Sequence, residues 1–186
     1  DYLIPMAVEE PSVLAAISHA AKLIRAGGGF WADSTDPIMI GQIQILDMPD
    51  LEAARLAVLS HSDELMARAD ACSESIVAYG GGARGIEARP FPDTPVGPML
   101  IVHLLFDSRD AMGANTVNTA AEAIAPRLAE LTGGRTNLRI LSNLADRRTA
   151  TARCTVPAAE LTLPDIPGGD VARLIAEANA FAVVDP

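Results

Sequence analysis

Positive charge is scarce in this sequence. Lysine occurs once, at Lys22, histidine only at His19, His61 and His103, and 14 Lys+Arg face 24 Asp+Glu, a formal net charge of −10. Such a chain repels phosphate backbones and anionic headgroups, which argues against nucleic acid or a membrane as partner. Any anionic ligand must be held locally, by a helix N-terminus or a few arginines. Cysteine is limited to Cys72 and Cys154, far from any zinc-ligand spacing. Neither a disulfide framework nor a metal site is indicated, and a reducing cytoplasm fits the count. Aromatic residues make up only 4%, so the core must be built from Ala, Leu, Ile and Val. The longest apolar run, Met99 to Phe106, is interrupted by His103 and falls far short of the roughly 20 residues of a membrane helix. No basic region precedes an apolar stretch at the start, and an initiating Met is missing. The chain ends on Val184-Asp185-Pro186 straight after an apolar helical pattern, and so reads as a piece of a longer protein. What is present, 49% hydrophobic and 20% charged residues over 186 positions, suffices for one packed domain with parts of another.

Apolar residues from Tyr2 to Val8 predict a strand leading into an amphipathic helix with Val13, Leu14, Ile17, Ala20, Ala21 and Ile24, ended by Gly27-Gly28-Gly29. Ile38 to Leu46 contains the alternation Gln42-Ile43-Gln44-Ile45, a strand with one wet and one dry face. A helical stretch follows from about Leu51 to Tyr79, with a break near Ser60 to Ser62. Ile86–Phe91 and Met99–Phe106 read as a hairpin across the Pro- and Gly-rich segment 92–98. A second helix is expected over Asn115 to Leu131, kinked or broken by Pro126, and a last strand over Leu138 to Leu141. Residues 37–142 thus run β-α-β-β-α-β, a ferredoxin-like order that predicts an α+β fold: an antiparallel sheet backed by two helices, its first and third strands central. The third strand is apolar on both faces apart from His103, so its second face calls for a cover. The flanking segments read as parts of a second domain.

Gly80-Gly81-Gly82-Ala83-Arg84-Gly85 matches G-x-G-x-x-G, but a helix precedes it and a strand follows, the reverse of what dinucleotide binding needs, so it is expected to be a turn. Asp110-Ala111-Met112-Gly113-Ala114-Asn115 lies between a strand and a helix. It suits either an anion at the helix N-terminus or a tight turn with Asn115 as N-cap. Glu9 and Glu10 before a helix are ordinary dipole partners or a functional acid.

Three long segments in order resemble the hydroxymethylglutaryl-coenzyme A reductase family, in its bacterial class II form: Met6-Ala7-Val8-Glu9-Glu10-Pro11-Ser12-Val13, Asp110 through Thr119, and Arg139 through Asp146. The resemblance implies interconversion of hydroxymethylglutaryl-coenzyme A with mevalonate and coenzyme A, using two nicotinamide cofactors and no metal. It further implies a non-Rossmann, ferredoxin-like cofactor domain, here residues 37–146. This domain is inserted in a larger α/β substrate-binding domain, to which 1–36 and 147–186 belong. Glu10 falls on the family's catalytic glutamate, a proton donor to the carbonyl oxygen. To hold a proton beside a helix N-terminus it needs burial or a neighbouring carboxylate. Ser12 matches a substrate contact and Asn143 a polar residue reaching toward the active site. Asp110, Met112, Gly113 and Asn115 match the cofactor-contacting turn.

The resemblance leaves NAD or NADP open. The family's NAD-selecting acidic residue falls near Ser73, with Asp70 and Glu74 close by as substitutes and Arg68 as a 2′-phosphate partner. The family's catalytic lysine, aspartate and histidine and its substrate-binding arginine have no match in these residues, so the chain alone is expected to be inactive. Lys22, His19 and His61 read as exposed helix residues and His103 as a strand residue with a satisfied partner. The family implies a homodimer or higher assembly in the cytoplasm. A chain with uncovered apolar surface is also expected to associate. The competing class is a short, non-catalytic ferredoxin-like module binding a nucleotide or a protein.

Overall fold

Side chains alternate between faces along a strand, so Ile43 and Ile45 share one side of their sheet while Gln42 and Gln44 share the other. The computed structural model describes residues 3–7 and 10–185. Its elements are, in chain order, α1 (Pro11–Ala26), β1 (Phe30–Ser34), β2 (Ile38–Leu46), α2 (Leu51–Ser60), α3 (Ser62–Asp70), α4 (Glu74–Ala78), β3 (Gly82–Phe91) and β4 (Met99–Asp107). They continue with α5 (Ala114–Thr132), β5 (Arg135–Leu141), β6 (Ala150–Cys154), a 3-10 turn (Ala158–Leu161) and α6 (Gly168–Val184). Contacts divide the chain into two units: Ser34–Ala150 is one, and residues through Asp33 with those from Thr151 form the other.

In the unit 34–150 the strands run in the order β3-β4-β2-β5, all antiparallel, so its first and third strands are central. Ile43 faces Val102 and Ile45 faces Leu100. Against this dry face pack Ala54 and Val58 of α2, Leu65 and Ala69 of α3, and Val117, Ala120, Ala121, Ile124 and Leu128 of α5. The α5 positions recur every three or four residues, the stripe a helix must bury. Fully burying a side chain such as Leu128 contributes about 1.5–3 kcal/mol. Asp50 caps α2, its carboxylate accepting from Ala53 N at 2.8 Å.

The opposite face of this sheet is a shallow groove of about 240 Å³ lined by Gln42, Gln44, Arg89, Phe91, Ile101, His103 and Leu138. His103 is buried there, its Nδ1 3.8 Å from the Glu87 carboxylate. Burial, and then the positive charge of Arg89, push its pKa below the ordinary value.

In the other unit β1 pairs with β6, and the Arg153 guanidinium stacks 4.1 Å above the Trp31 ring. No residue of α1 is buried, and α6 buries only Gly168.

Several expectations are corrected. The strand predicted over Tyr2 to Val8 is not formed by residues 3–7, which are extended and exposed around Pro5; its ends, Tyr2 and Val8, lie outside the described residues. A strand needs a ladder partner, and none is offered to these residues among those described. The β1–β6 pair was not legible because both strands are exposed throughout and carry no dry face. The stretch 51–79 is three helices, with His61, half-buried instead of exposed, at the first junction; its Nδ1 lies 2.8 Å from Ala57 O. Pro126 does not break α5. It sits on the exposed side, where water can serve the carbonyl it leaves unpaired, while Ile124, Ala125 and Leu128 hold the helix to the sheet. Asn115 is not an N-cap. That place belongs to Gly113, and Asn115 lies inside the first turn.

Candidate functional site

Where β4 runs out, the chain reverses within a few residues and enters α5. Asp107 is buried, and its carboxylate accepts from Arg109 N at 2.9 Å and Arg84 Nη2 at 3.2 Å. Ser108 is fully buried, its amide donating to Pro37 O at 3.3 Å. Arg109 adopts φ 51°, a region non-glycine residues seldom enter, and its guanidinium donates to Gly80 O at 2.5 Å. Ala111 N donates back to Ser108 O at 3.1 Å and closes the turn.

Gly113 follows at φ 89° and opens α5. A Cβ there would lie 2.7 Å from Ser108 Cβ, so only glycine fits. The first turn of α5 holds no acidic residue, which leaves its free amides and positive dipole end uncompensated. Asp110, Met112 and Asn115 are exposed along the turn. Two clefts share Arg109 and Asp110. One, of about 540 Å³, is lined also by Ser34, Thr35, Pro37, Arg148, Thr149 and Ala150; the other, of about 410 Å³, by Ile76, Tyr79, Ser108 and Ala111.

Thus Asp110, Met112, Gly113 and Asn115 fall on one turn. Asn143 is exposed on the segment leaving β5, where Ser142 N donates to Ile40 O at 2.7 Å. Glu10 and Ser12 belong to the other unit. Glu10 is the exposed N-cap residue of α1, its carbonyl accepting from Val13 N at 3.2 Å. The Ser12 hydroxyl donates to the Glu10 carboxylate. Glu9 lies outside the described residues.

Of the residues weighed for the cofactor's ribose, Ser73 is buried at the start of α4 and Asp70 is engaged, its Oδ1 accepting from Ala83 N at 2.7 Å. Arg68 pairs with Glu64 at 3.0 Å, and Glu74 is exposed. Sequence reasoning missed Asp107, Ser108, Arg109 and Arg148. No motif singles out either arginine in the sequence, and only their position beside the turn marks them.

The family profile described as hydroxymethylglutaryl-coenzyme A reductase matches residues 1–186. The chain belongs to that family. It is 49% identical over 187 residues to the 3-hydroxy-3-methylglutaryl-coenzyme A reductase of Archaeoglobus fulgidus, across 100% of this chain and 41% of the relative. A probable reductase of Borreliella burgdorferi is 29% identical over 152 residues, covering 82% of this chain and 34% of the relative. Among solved structures, a reductase of Streptococcus pneumoniae superposes with TM-score 0.89 at 37% identity, over 96% of this chain and 48% of that one. The class II reductase of the same organism, bound to NADPH in open conformations, gives 0.91 at 37%, over 98% and 44%. The chain therefore spans less than half the length of these relatives. A short binding module outside this family is not favoured by the match. No helix among the described residues is long and apolar enough to cross a membrane.

Proposed function

We propose that this chain carries the cofactor-binding part and the glutamate end of the active site of a reductase that interconverts hydroxymethylglutaryl-coenzyme A with mevalonate and coenzyme A. The unit 34–150 is read as its ferredoxin-like cofactor domain, a reading supported by the strand order β3-β4-β2-β5. The segments around residues 1–36 and 147–186 are read as parts of the substrate-binding domain. The observation that carries the proposal is the turn 107–115. It presents the N-terminus of a helix whose first turn holds no acidic residue, which suits a pyrophosphate, and its buried Gly113 lets the chain close against Ser108 to aim that N-terminus. The residues present fit a nicotinamide dinucleotide, NAD or NADP, whose reduced form would supply hydride and whose oxidised form would accept it. Asp110, Met112, Gly113 and Asn115 hold the dinucleotide, and Ser12 and Asn143 contact the acyl substrate. Glu10 gives a proton to the carbonyl oxygen that develops charge; exposed in this segment, with the Ser12 hydroxyl donating to it, it needs the cover of the intact enzyme to hold that proton. A homodimer or larger assembly in the cytoplasm completes the reading, the compartment resting on the two-cysteine count.

Titration of the 186-residue chain with NADH and NADPH, followed by nucleotide fluorescence, tests this. Saturable binding of at least one dinucleotide is expected, with no mevalonate-dependent reduction of NAD or NADP. Failure of both to bind at millimolar concentration would overturn the cofactor reading. In an intact enzyme containing this segment, Glu10→Gln is expected to abolish reduction while nucleotide still binds. Normal turnover in that variant would remove Glu10 from the mechanism.

A further inference from the structure

Arg148 differs from most arginines of this acidic chain in what it binds. Arg55, Arg68, Arg127 and Arg139 each rest on a carboxylate. Arg148, among the described residues, pairs with none, and its guanidinium spends its donors on the neutral acceptors of a single turn. Nη1 donates to Ser108 Oγ at 2.9 Å and to Ala111 O at 3.0 Å, and Nη2 to Arg109 O at 3.2 Å. Its own backbone is pinned on both sides. Thr149 N donates to Thr35 Oγ1 at 2.9 Å, Thr35 Oγ1 donates to Arg147 O at 3.0 Å, and the Arg147 side chain is tied to Glu87 at 2.6 Å.

The turn it grips needs such a hold. Arg109 sits in a left-handed conformation that persists only where its surroundings over-determine it, and buried Ser108 packs directly against Gly113, so a shift of one moves the other. A planar guanidinium can bridge three acceptors at once, which the flexible point charge of lysine cannot reproduce.

We propose that Arg148 is a positioning residue for the cofactor turn: it straps Ser108–Ala111 to the anchored segment 147–149 and so keeps the α5 N-terminus aimed at the dinucleotide. The proposal deepens the cofactor reading and rests on it. The same guanidinium leaves an uncompensated positive charge near the anion site, so charge and geometry must be separated. Arg148→Lys keeps the charge and loses the fork; Arg148→Ala loses both.

The experiment measures amide hydrogen exchange by NMR and the dissociation constants of NADH and NADPH, on the full chain and both variants. In both, the Ser108 and Ala111 amides are expected to exchange about tenfold faster, while those of Ile43 and Val102 in the core keep their parental rates. Dinucleotide affinity is expected to fall about tenfold in both, the loss of charge-assisted hydrogen bonds that shape the site. Parental exchange at Ser108 and Ala111 in Arg148→Ala would overturn the proposal, as would a lysine variant with parental exchange and affinity. Should the alanine variant unfold, the core amides report it and the lysine variant decides. Should the parent chain bind neither dinucleotide, the cofactor reading fails. The two turn amides then still decide whether Arg148 holds the turn.

Discussion

Gly113 and His103 are two positions where the choice of residue is tightly constrained. At Gly113 both backbone and space forbid a Cβ, with φ at 89° and Ser108 2.7 Å from where that atom would stand. Gly113→Ala is expected to cost about 1–3 kcal/mol in urea unfolding, and to abolish dinucleotide binding even where the fold survives. At His103 the constraint is charge. Burial and Arg89 disfavour the imidazolium, while Glu87 only partly offsets them. The folded-state pKa is therefore below the unfolded one, and the unfolded chain takes up the proton first as pH falls. His103 thus contributes stability that is complete above about pH 6.5 and declines as pH drops toward the folded value. Unfolding free energy should be higher at pH 7.5 than at pH 5.5, and His103→Gln should flatten that difference. The lowered carboxylates Glu52 and Glu64 stay ionised in both states across this window, since their ordinary value is 4.5. An unchanged slope in the variant would assign the pH dependence elsewhere.

Helix α5 does two things at once, sealing the core along its length and presenting its first turn to the site. Pro126 costs it a hydrogen bond on the exposed side without breaking it. Pro126→Ala should therefore stabilise the chain by about 1–3 kcal/mol, seen as a raised thermal midpoint; a lowered one would mean the proline ring itself is packed. Elements of this kind were legible in the sequence wherever burial imposes a period. Ile38–Leu46, Met99–Asp107 and α5 stand within a few residues of their predicted places because their apolar positions must meet. β1 and β6 bury nothing, so no pattern announced them. The site was legible through the Asp110–Asn115 motif, whereas Arg148 acts on a turn 37 or more positions away and leaves no local trace. Helix breaks, too, were overestimated, since tertiary packing keeps α5 continuous through a residue that would break an isolated helix.

At the scale of the molecule, nearly all the buried apolar surface lies in residues 34–150. The other unit keeps Leu14, Ile17, Leu174, Ile175 and Phe181 exposed. Stability should follow that division. Limited trypsin digestion is expected to cut first at Arg25, Arg153 or Arg173 and to leave a resistant core close to 34–150, read by mass spectrometry. Early cuts inside that core, at Arg89 or Arg127, would contradict the division. The exposed apolar residues should also make the chain associate in light scattering as concentration rises.

The four-stranded sheet ends in two outer strands, and each is blunted. β3 carries Pro90, which has no amide hydrogen to offer a newcomer, and a bulge between Ala83 and Gly85; β5 presents Arg135 and Arg139. A chain rich in isoleucine and valine could otherwise recruit further strands at either margin. Whatever association its apolar helices invite, strand addition at the margins of this sheet is disfavoured, so fibrillar order should not start there.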